Sequence, residues 1–171
     1  DKTPFLYFLP ETERLFQSSP SIRRNLIDQF IYTSQNKYNK LVNRYNKFIQ
    51  ERSKVLINNN HDHSWLMQLE KNISSDALQI YSLRESQLSI LINNLNIYLR
   101  DFDLPFKIDT TLIDKFYTSN LKNEDYEEIL KKNRKIDALV GGSGYNERYL
   151  CLSIKLKVTA YWGSKLYFPD E

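Results

Sequence analysis

Residues 64–100 read SWLMQLEKNISSDALQIYSLRESQLSILINNLNIYLR. Apolar side chains return here in steps of three and four. Leu66, Leu69, Ile73, Ala77 and Ile80 make an early core side, and Leu88, Leu91, Ile92, Leu95 and Leu99 a later one. Such spacing stacks side chains along one side of a helix, whereas a strand would alternate them. Ser64 is placed to cap this helix, Ser74-Ser75-Asp76 is where it would kink, and Asp101-Phe102-Asp103-Leu104-Pro105 ends it. Upstream, the same spacing runs from Lys37 to about Ile57 through Tyr38, Leu41, Tyr45, Phe48, Ile49, Val55 and Leu56, with Arg52 joining by its aliphatic stem. Asn58 to His63 is a polar break. Ser19-Pro20 supplies a cap and a first-turn proline for a helix to about Ser34.

Further out the elements are shorter. Phe5 to Leu9 reads as a buried strand stopped by Pro10, Glu11 to Phe16 as a turn or short helix, and Phe106 to Ile108 as an edge strand. A helix is expected from Glu124 to about Ile136, a last one from about Asn146 to Trp162 stopped by Gly163, and a strand at Lys165 to Phe168. The expected fold is mostly α, an α+β arrangement with a few short strands, in one domain over residues 1–171.

Composition narrows the function classes. At 171 residues, 41% hydrophobic and 26% charged, the chain can bury a core. Its 12 Tyr and 9 Phe argue against low-complexity disorder. No apolar run is long enough to span a bilayer, so no membrane partner is expected. A lone cysteine, Cys151, fits a reducing cytoplasm and a packing role. The opening Asp1-Lys2-Thr3-Pro4 has no signal character and is not a natural start. His61-Asp62-His63 offers two histidines and no third ligand, so no metal site is expected. No catalytic residue is assigned.

The net charge of +3 matters less than its distribution. Lys37, Lys40, Arg44 and Lys47 fall on one helix face, and from Arg23 to Lys54 eight Lys or Arg stand against Asp28 and Glu51. Such a row can neutralise duplex phosphates without reading bases, or it can be the solvated side of an amphipathic helix. Arg23 and Arg24 sit early in a helix, where cations oppose its dipole, so each needs a partner: a carboxylate such as Glu11 or Asp28, a phosphate, or another lobe. Asp28 is better suited to orienting an arginine than to acid–base work.

The order of several motifs carries a resemblance. Phe8-Leu9-Pro10-Glu11, Leu15, Ser19-Pro20, Arg23-Arg24 and Ile27-Asp28 resemble the F-x-P-E … S-P-x-x-R-R-x-F-L-D pattern of the RecF family, bacterial DNA replication and repair ATPases, with Leu26 at the usual Phe. Tyr45-Asn46-Lys47 with Gln50-Glu51-Arg52-Ser53 resembles the family's Y-x-K-x-L-x-Q-R-N helix. Trp65-Leu66, Tyr126 to Leu130, Arg134-Lys135, Arg148 and Leu152 to Leu156 continue the match in family order, over roughly residues 5 to 157. The resemblance is to the family's lid, or lobe II, and implies the helical lid lobe of an ABC/SMC-type ATPase. It further implies ATP and magnesium as cofactors of the parent protein and a bacterial cytoplasmic location. The partners it implies are double-stranded or gapped DNA, a second copy through the parent ATPase, and recombination mediator proteins during recombinase loading. The basic row and Arg23, Arg24 and Asp28 would then face DNA, phosphate or the neighbouring lobe.

There are departures. Aligned on Arg148, the family's signature motif places Ser143 at its serine but Tyr145 at its glycine and Asn146 at its acidic or amide position. The Gly-Pro-His hairpin is missing, and no G-x-x-x-x-G-K-[ST] phosphate loop occurs. No cofactor is therefore expected in this segment, which reads as a piece of its parent and inactive alone. Asp170-Glu171 could open a Walker B site, but Pro169 is awkward in a central strand, and a solvated end is the competing reading. Gly141-Gly142-Ser143-Gly144 stands where the hairpin belongs, in a chain without glycine up to residue 140, and reads as an engineered Gly/Ser linker. A free-standing helical protein- or nucleic-acid-interaction module is the alternative to the ATPase lid.

Overall fold

A computed structural model of the chain describes residues 20–58, 63–113, 118, 120–140, 153–162 and 165–167. Helix α1 spans Pro20–Ser34, α2 Asn36–Ile57, α3 His63–Asp101 and α4 Asn123–Val140. Among the described residues three strands accompany them: β1 at Phe106–Ile113, β2 at Ser153–Trp162 and β3 at Lys165–Tyr167. The mostly helical architecture with a few short strands is the one expected from the sequence.

Helices α1 and α2 meet at a single extended residue, Gln35, at φ −137° and ψ 98°. Its N–H closes on the Ile31 carbonyl at 2.7 Å, and its own carbonyl accepts from the Tyr38 N–H at 3.0 Å. Helix α3 begins one residue before Ser64, which lies inside its first turn, and runs unbroken through Ser74-Ser75-Asp76. Its end is a Schellman closure: the Leu104 N–H reaches the Leu99 carbonyl and the Asp103 N–H the Arg100 carbonyl, both at 2.9 Å. Asp103 takes the left-handed conformation that this closure requires, at φ 51°, which a short polar side chain tolerates.

The core is the apolar side predicted for α2 and the early half of α3. Tyr38, Tyr45 and Ile49 meet Ile73, Ala77, Ile80 and Tyr81, and Ile27 and Ile31 of α1 and Tyr126 and Leu130 of α4 close around them. The Ser74 hydroxyl donates to the Asn123 carbonyl at 2.7 Å and pins the start of α4 to α3.

The sheet holds the main correction. Residues 153–162 form a strand and not the end of a helix from Asn146; residues 146–152 lie outside the described residues. From Ser153 to Trp162 apolar and polar side chains alternate, and Ile154, Val158 and Thr159 are β-branched, so period two prevails over the Leu152–Leu156 spacing. β1 continues to Ile113, beyond the expected Ile108, because β2 pairs along its whole length, antiparallel from Phe106↔Ala160 to Ile113↔Ser153. β3 then pairs with the end of β2, giving the order β1-β2-β3. Helix α3 is keyed to this sheet by Asn96. Its amide donates to the Ile108 carbonyl at 2.7 Å and accepts from the Ile108 N–H at 2.8 Å. The expected strand at 5–9, the segment 11–16, the tetrapeptide 141–144 and the pair 170–171 lie outside the described residues.

Candidate nucleic-acid interface

The row predicted on α2 is exposed along its length. Lys37, Lys40, Arg44 and Lys47 all lie on the solvent side, away from the Tyr38–Tyr45–Ile49 face. The row extends roughly 15 Å from Lys37 to Lys47, at 1.5 Å of rise per residue. Its members differ in restraint. Lys47 reaches Glu51 only at 3.9 Å, an exposed pair of small energetic weight. Arg44 is gripped, its Nε and Nη2 donating to the two Asp76 carboxylate oxygens at 2.8 and 2.6 Å. The Arg44 side chain is nevertheless 55% exposed while that of Asp76 is 4% exposed.

Behind the row the helices are joined by buried charge. Asp28 of α1 accepts from Arg84 of α3 in a fork, at 2.9 and 2.8 Å, and from the Tyr38 hydroxyl at 2.7 Å. Burial works against the Arg84 charge, but the Asp28 hydrogen bonds and charge outweigh it and hold the guanidinium above its ordinary pKa. Glu70 of α3 accepts from Arg52 of α2 at 3.0 Å and from the Nε of Arg134 of α4 at 2.9 Å, with a second bond from Arg134 Nη2. Arg52 also donates to Asp137 at 2.9 Å and to the Leu130 carbonyl at 2.7 Å. Two cations and two anions thus close into a neutral cluster across three helices.

Burial raises the Tyr38 phenol well above its ordinary 10.0, with Arg84 opposing and Asp28 reinforcing the shift. A folded value above the unfolded one means that the contribution of Tyr38 is complete below pH 10 and is lost as the pH rises past it. Unfolding titrations of the native chain and Tyr38→Phe should therefore differ by about 1.5–3 kcal/mol at neutral pH, the worth of a hydrogen bond to a charged group. The gap should narrow above pH 10. A gap independent of pH would show that the phenol is not the group responsible.

This geometry can be set beside known proteins. No protein-family model matches the chain. The DNA replication and repair protein RecF of Rickettsia bellii (strain OSU 85-389) is 25% identical over 149 residues, 84% of this chain and 40% of that protein. RecF of Rickettsia typhi is 32% identical over 73 residues, 43% of this chain and 20% of that protein. A solved structure of the recombination mediator protein RecF with ATP, of the RecFOR pathway, superposes with a TM-score of 0.72 at 18% identity. That match covers 88% of this chain and 42% of the solved one. The chain is a RecF-like region. It spans 40% of the length of the R. bellii relative it matches.

Within this RecF-like chain the predicted site residues separate into three groups. Lys37, Lys40, Arg44 and Lys47 come together on α2. Asp28 does orient an arginine, and the arginine is Arg84. Arg23 and Arg24 lie in α1, but their side chains are outside the described residues, as are Ser143 and Arg148 altogether. Among the described residues no group of three His, Cys, Asp or Glu is placed to hold a metal, and no helix is long and apolar enough to cross a membrane. Reading the sequence missed the Glu70 cluster and Arg84. Both carried a signal, since Glu70 and Arg84 interrupt the apolar side of α3, where a charge must be paired.

Proposed function

We propose that this chain is the lid lobe of a RecF-like, ATP-dependent DNA-binding protein of the bacterial cytoplasm. That protein acts in DNA repair and recombinase loading at gaps and junctions. The observation that carries the reading is the match of 88% of the chain to less than half of a RecF chain, with the exposed row Lys37, Lys40, Arg44 and Lys47 on α2. In the parent, ATP and magnesium sit in a lobe that holds the phosphate loop. The present sequence contains no such loop to cradle the nucleotide phosphates. Arg23 and Arg24 are proposed to face that lobe or a phosphate. By the family resemblance, Arg148 marks the edge presented to a second subunit; Ser143 belongs to that edge only where residues 141–144 are native, and its match is a coincidence where they are an inserted linker. Recombination mediator proteins would assemble on the complete protein.

The DNA test uses the lysines of the row and leaves Arg44 in place, because its removal would strand the buried Asp76 carboxylate. Native chain and the triple variant Lys37→Gln, Lys40→Gln, Lys47→Gln are titrated with gapped duplexes of two unrelated sequences at several salt concentrations. Affinity should fall alike for both sequences. The slope of log affinity against log salt should shrink by about 2 to 3, near 0.9 for each phosphate no longer neutralised. Undiminished binding in the triple variant would place the DNA-binding surface elsewhere.

The chain alone is expected to show no ATP turnover after removal of contaminating ATPases; turnover above a heat-inactivated control would contradict this. The gene on either side of the segment separates the ATPase lid from the free-standing interaction module. A phosphate loop upstream and a Walker B motif downstream support the lid; stop codons bounding the segment support the module. The same sequence tests residues 141–144 as an inserted linker, an assignment that native codons for Gly-Gly-Ser-Gly between Val140 and Tyr145 would end.

A further inference from the structure

Of the arginine–carboxylate pairs that join the helices, the Arg44–Asp76 pair has an unusual distribution of exposure. Arg52 and Arg84 are buried together with their carboxylates, and Arg134 is mostly covered. At Arg44 the acid is buried and the base is not: the side chains are 4% and 55% exposed. In the other pairs both members are largely withdrawn from water. Here the carboxylate anchors one edge of a guanidinium whose remainder stays in solvent.

The bonding leaves a definite surface. Guanidinium carries five N–H donors in a rigid plane. Asp76 engages Nε and Nη2, so the second Nη2 hydrogen and one Nη1 hydrogen remain as a parallel pair on the outer edge, while the other Nη1 hydrogen points back toward Cδ. That edge belongs to the residue lying between Lys40 and Lys47 on the exposed row, and two parallel N–H groups there match two oxygens of one phosphate. Hydrogen bonding to Asp76, then its charge, raises the pKa of Arg44 against a small cost of burial, so the fork stays protonated throughout the working range.

We propose that Asp76 is a positioning residue that holds Arg44 as a preset, two-pronged phosphate ligand in the α2 row. The proposal rests on the DNA-binding reading given above and deepens it. The group it takes is a backbone phosphate of a nucleic acid. Lys37, Lys40 and Lys47 supply mobile charge around the fork. Because Asp76 cancels most of the long-range charge of Arg44, the residue works by geometry, and it adds little to the field that attracts the polyanion.

Geometry and charge make opposite forecasts for Asp76→Asn. The substitution keeps shape and removes a negative charge close to the row, so attraction by charge alone would leave binding of a gapped duplex equal or tighter. Loss of the preset fork should instead weaken it about five- to tenfold at moderate salt, the scale of one charge-assisted phosphate bond. Thermal melts of each variant run alongside. If Asp76→Asn fails to fold, Arg44→Lys takes its place. Lysine keeps the charge and cannot form the fork, and the same fold-loss is expected. Equal or tighter binding by the folded variant overturns the positioning role. Failure of the native chain to bind the duplex at low salt overturns the DNA-binding reading itself, a separate outcome seen before any variant is made.

Discussion

Glu70→Gln should lower the unfolding free energy by about 3–5 kcal/mol, the usual cost of breaking a buried ion pair from one side. The size follows from what is left behind. Glu70 is fully buried and is the carboxylate shared by Arg52 of α2 and Arg134 of α4. Without its charge, two guanidinium groups remain with the Asp137 carboxylate in a cluster that was neutral, and Arg52 is itself fully buried. The measurement is urea unfolding followed by circular dichroism. Glu128→Gln is the control: it breaks an exposed pair with Lys132 at 3.8 Å and should cost about 0.5 kcal/mol or less. The cluster should also respond as a unit. The losses from Glu70→Gln and Arg134→Gln, summed, should exceed the loss in the double variant, because the two side chains share their bonds. A Glu70→Gln chain within about 1 kcal/mol of native, an ordinary surface effect, would show that water reaches the cluster.

Asp28→Ala should be comparably severe, about 3–5 kcal/mol. It removes both acceptors of the Arg84 fork and the acceptor of the Tyr38 hydroxyl, in a place where the Arg84 side chain is nearly inaccessible. The informative comparison is the double variant Asp28→Leu, Arg84→Met. Buried ion pairs stabilise little against well-packed apolar residues of similar size, so removing both charges should return most of what Asp28→Ala loses. If the double variant is as unstable as Asp28→Ala, the pair fixes the packing of α1 on α3 in a way that apolar packing does not replace.

The helices were legible because their signal is local. Tyr38, Tyr45 and Ile49, or Leu66, Leu69, Ile73, Ala77 and Ile80, lie within a few turns of one another, and their spacing alone gives the buried face. β2 was not legible in the same way. Its partner β1 lies across α4 in the sequence, in a register from Phe106↔Ala160 to Ile113↔Ser153, and that pairing is invisible to a window of residues. The alternation from Ser153 to Trp162 is present in the sequence, but the Leu152–Leu156 step of four, which suits a helix, competes with it. Site residues divide similarly. The row on α2 follows from periodicity. The grip of Asp76 on Arg44 spans 32 residues and joins separate helices, and no spacing rule announces it. Glu70 and Arg84 could have been suspected from their place among apolar neighbours; which acids and bases they meet depends on how the helices pack.

Asn96 occupies the Ile108 peptide as a neighbouring strand would, one amide giving and taking a hydrogen bond with one residue. In an antiparallel ladder the outward-facing peptides alternate with those turned to the partner. The outward peptide of β1 at Ile108 is therefore already filled, and a strand arriving at that edge has no partner there. The same bond fixes the phase of β1. A slip by one residue would offer Asn96 a peptide facing β2, and it would turn every side chain of β1 to the opposite side. The loop of Phe102 to Pro105 can vary in sequence outside Asp103, whose φ of 51° favours a short polar residue or glycine, but a change in its length by one residue would set the helical layer and the sheet out of step. The tolerance of this junction is to substitution, and its intolerance is to insertion.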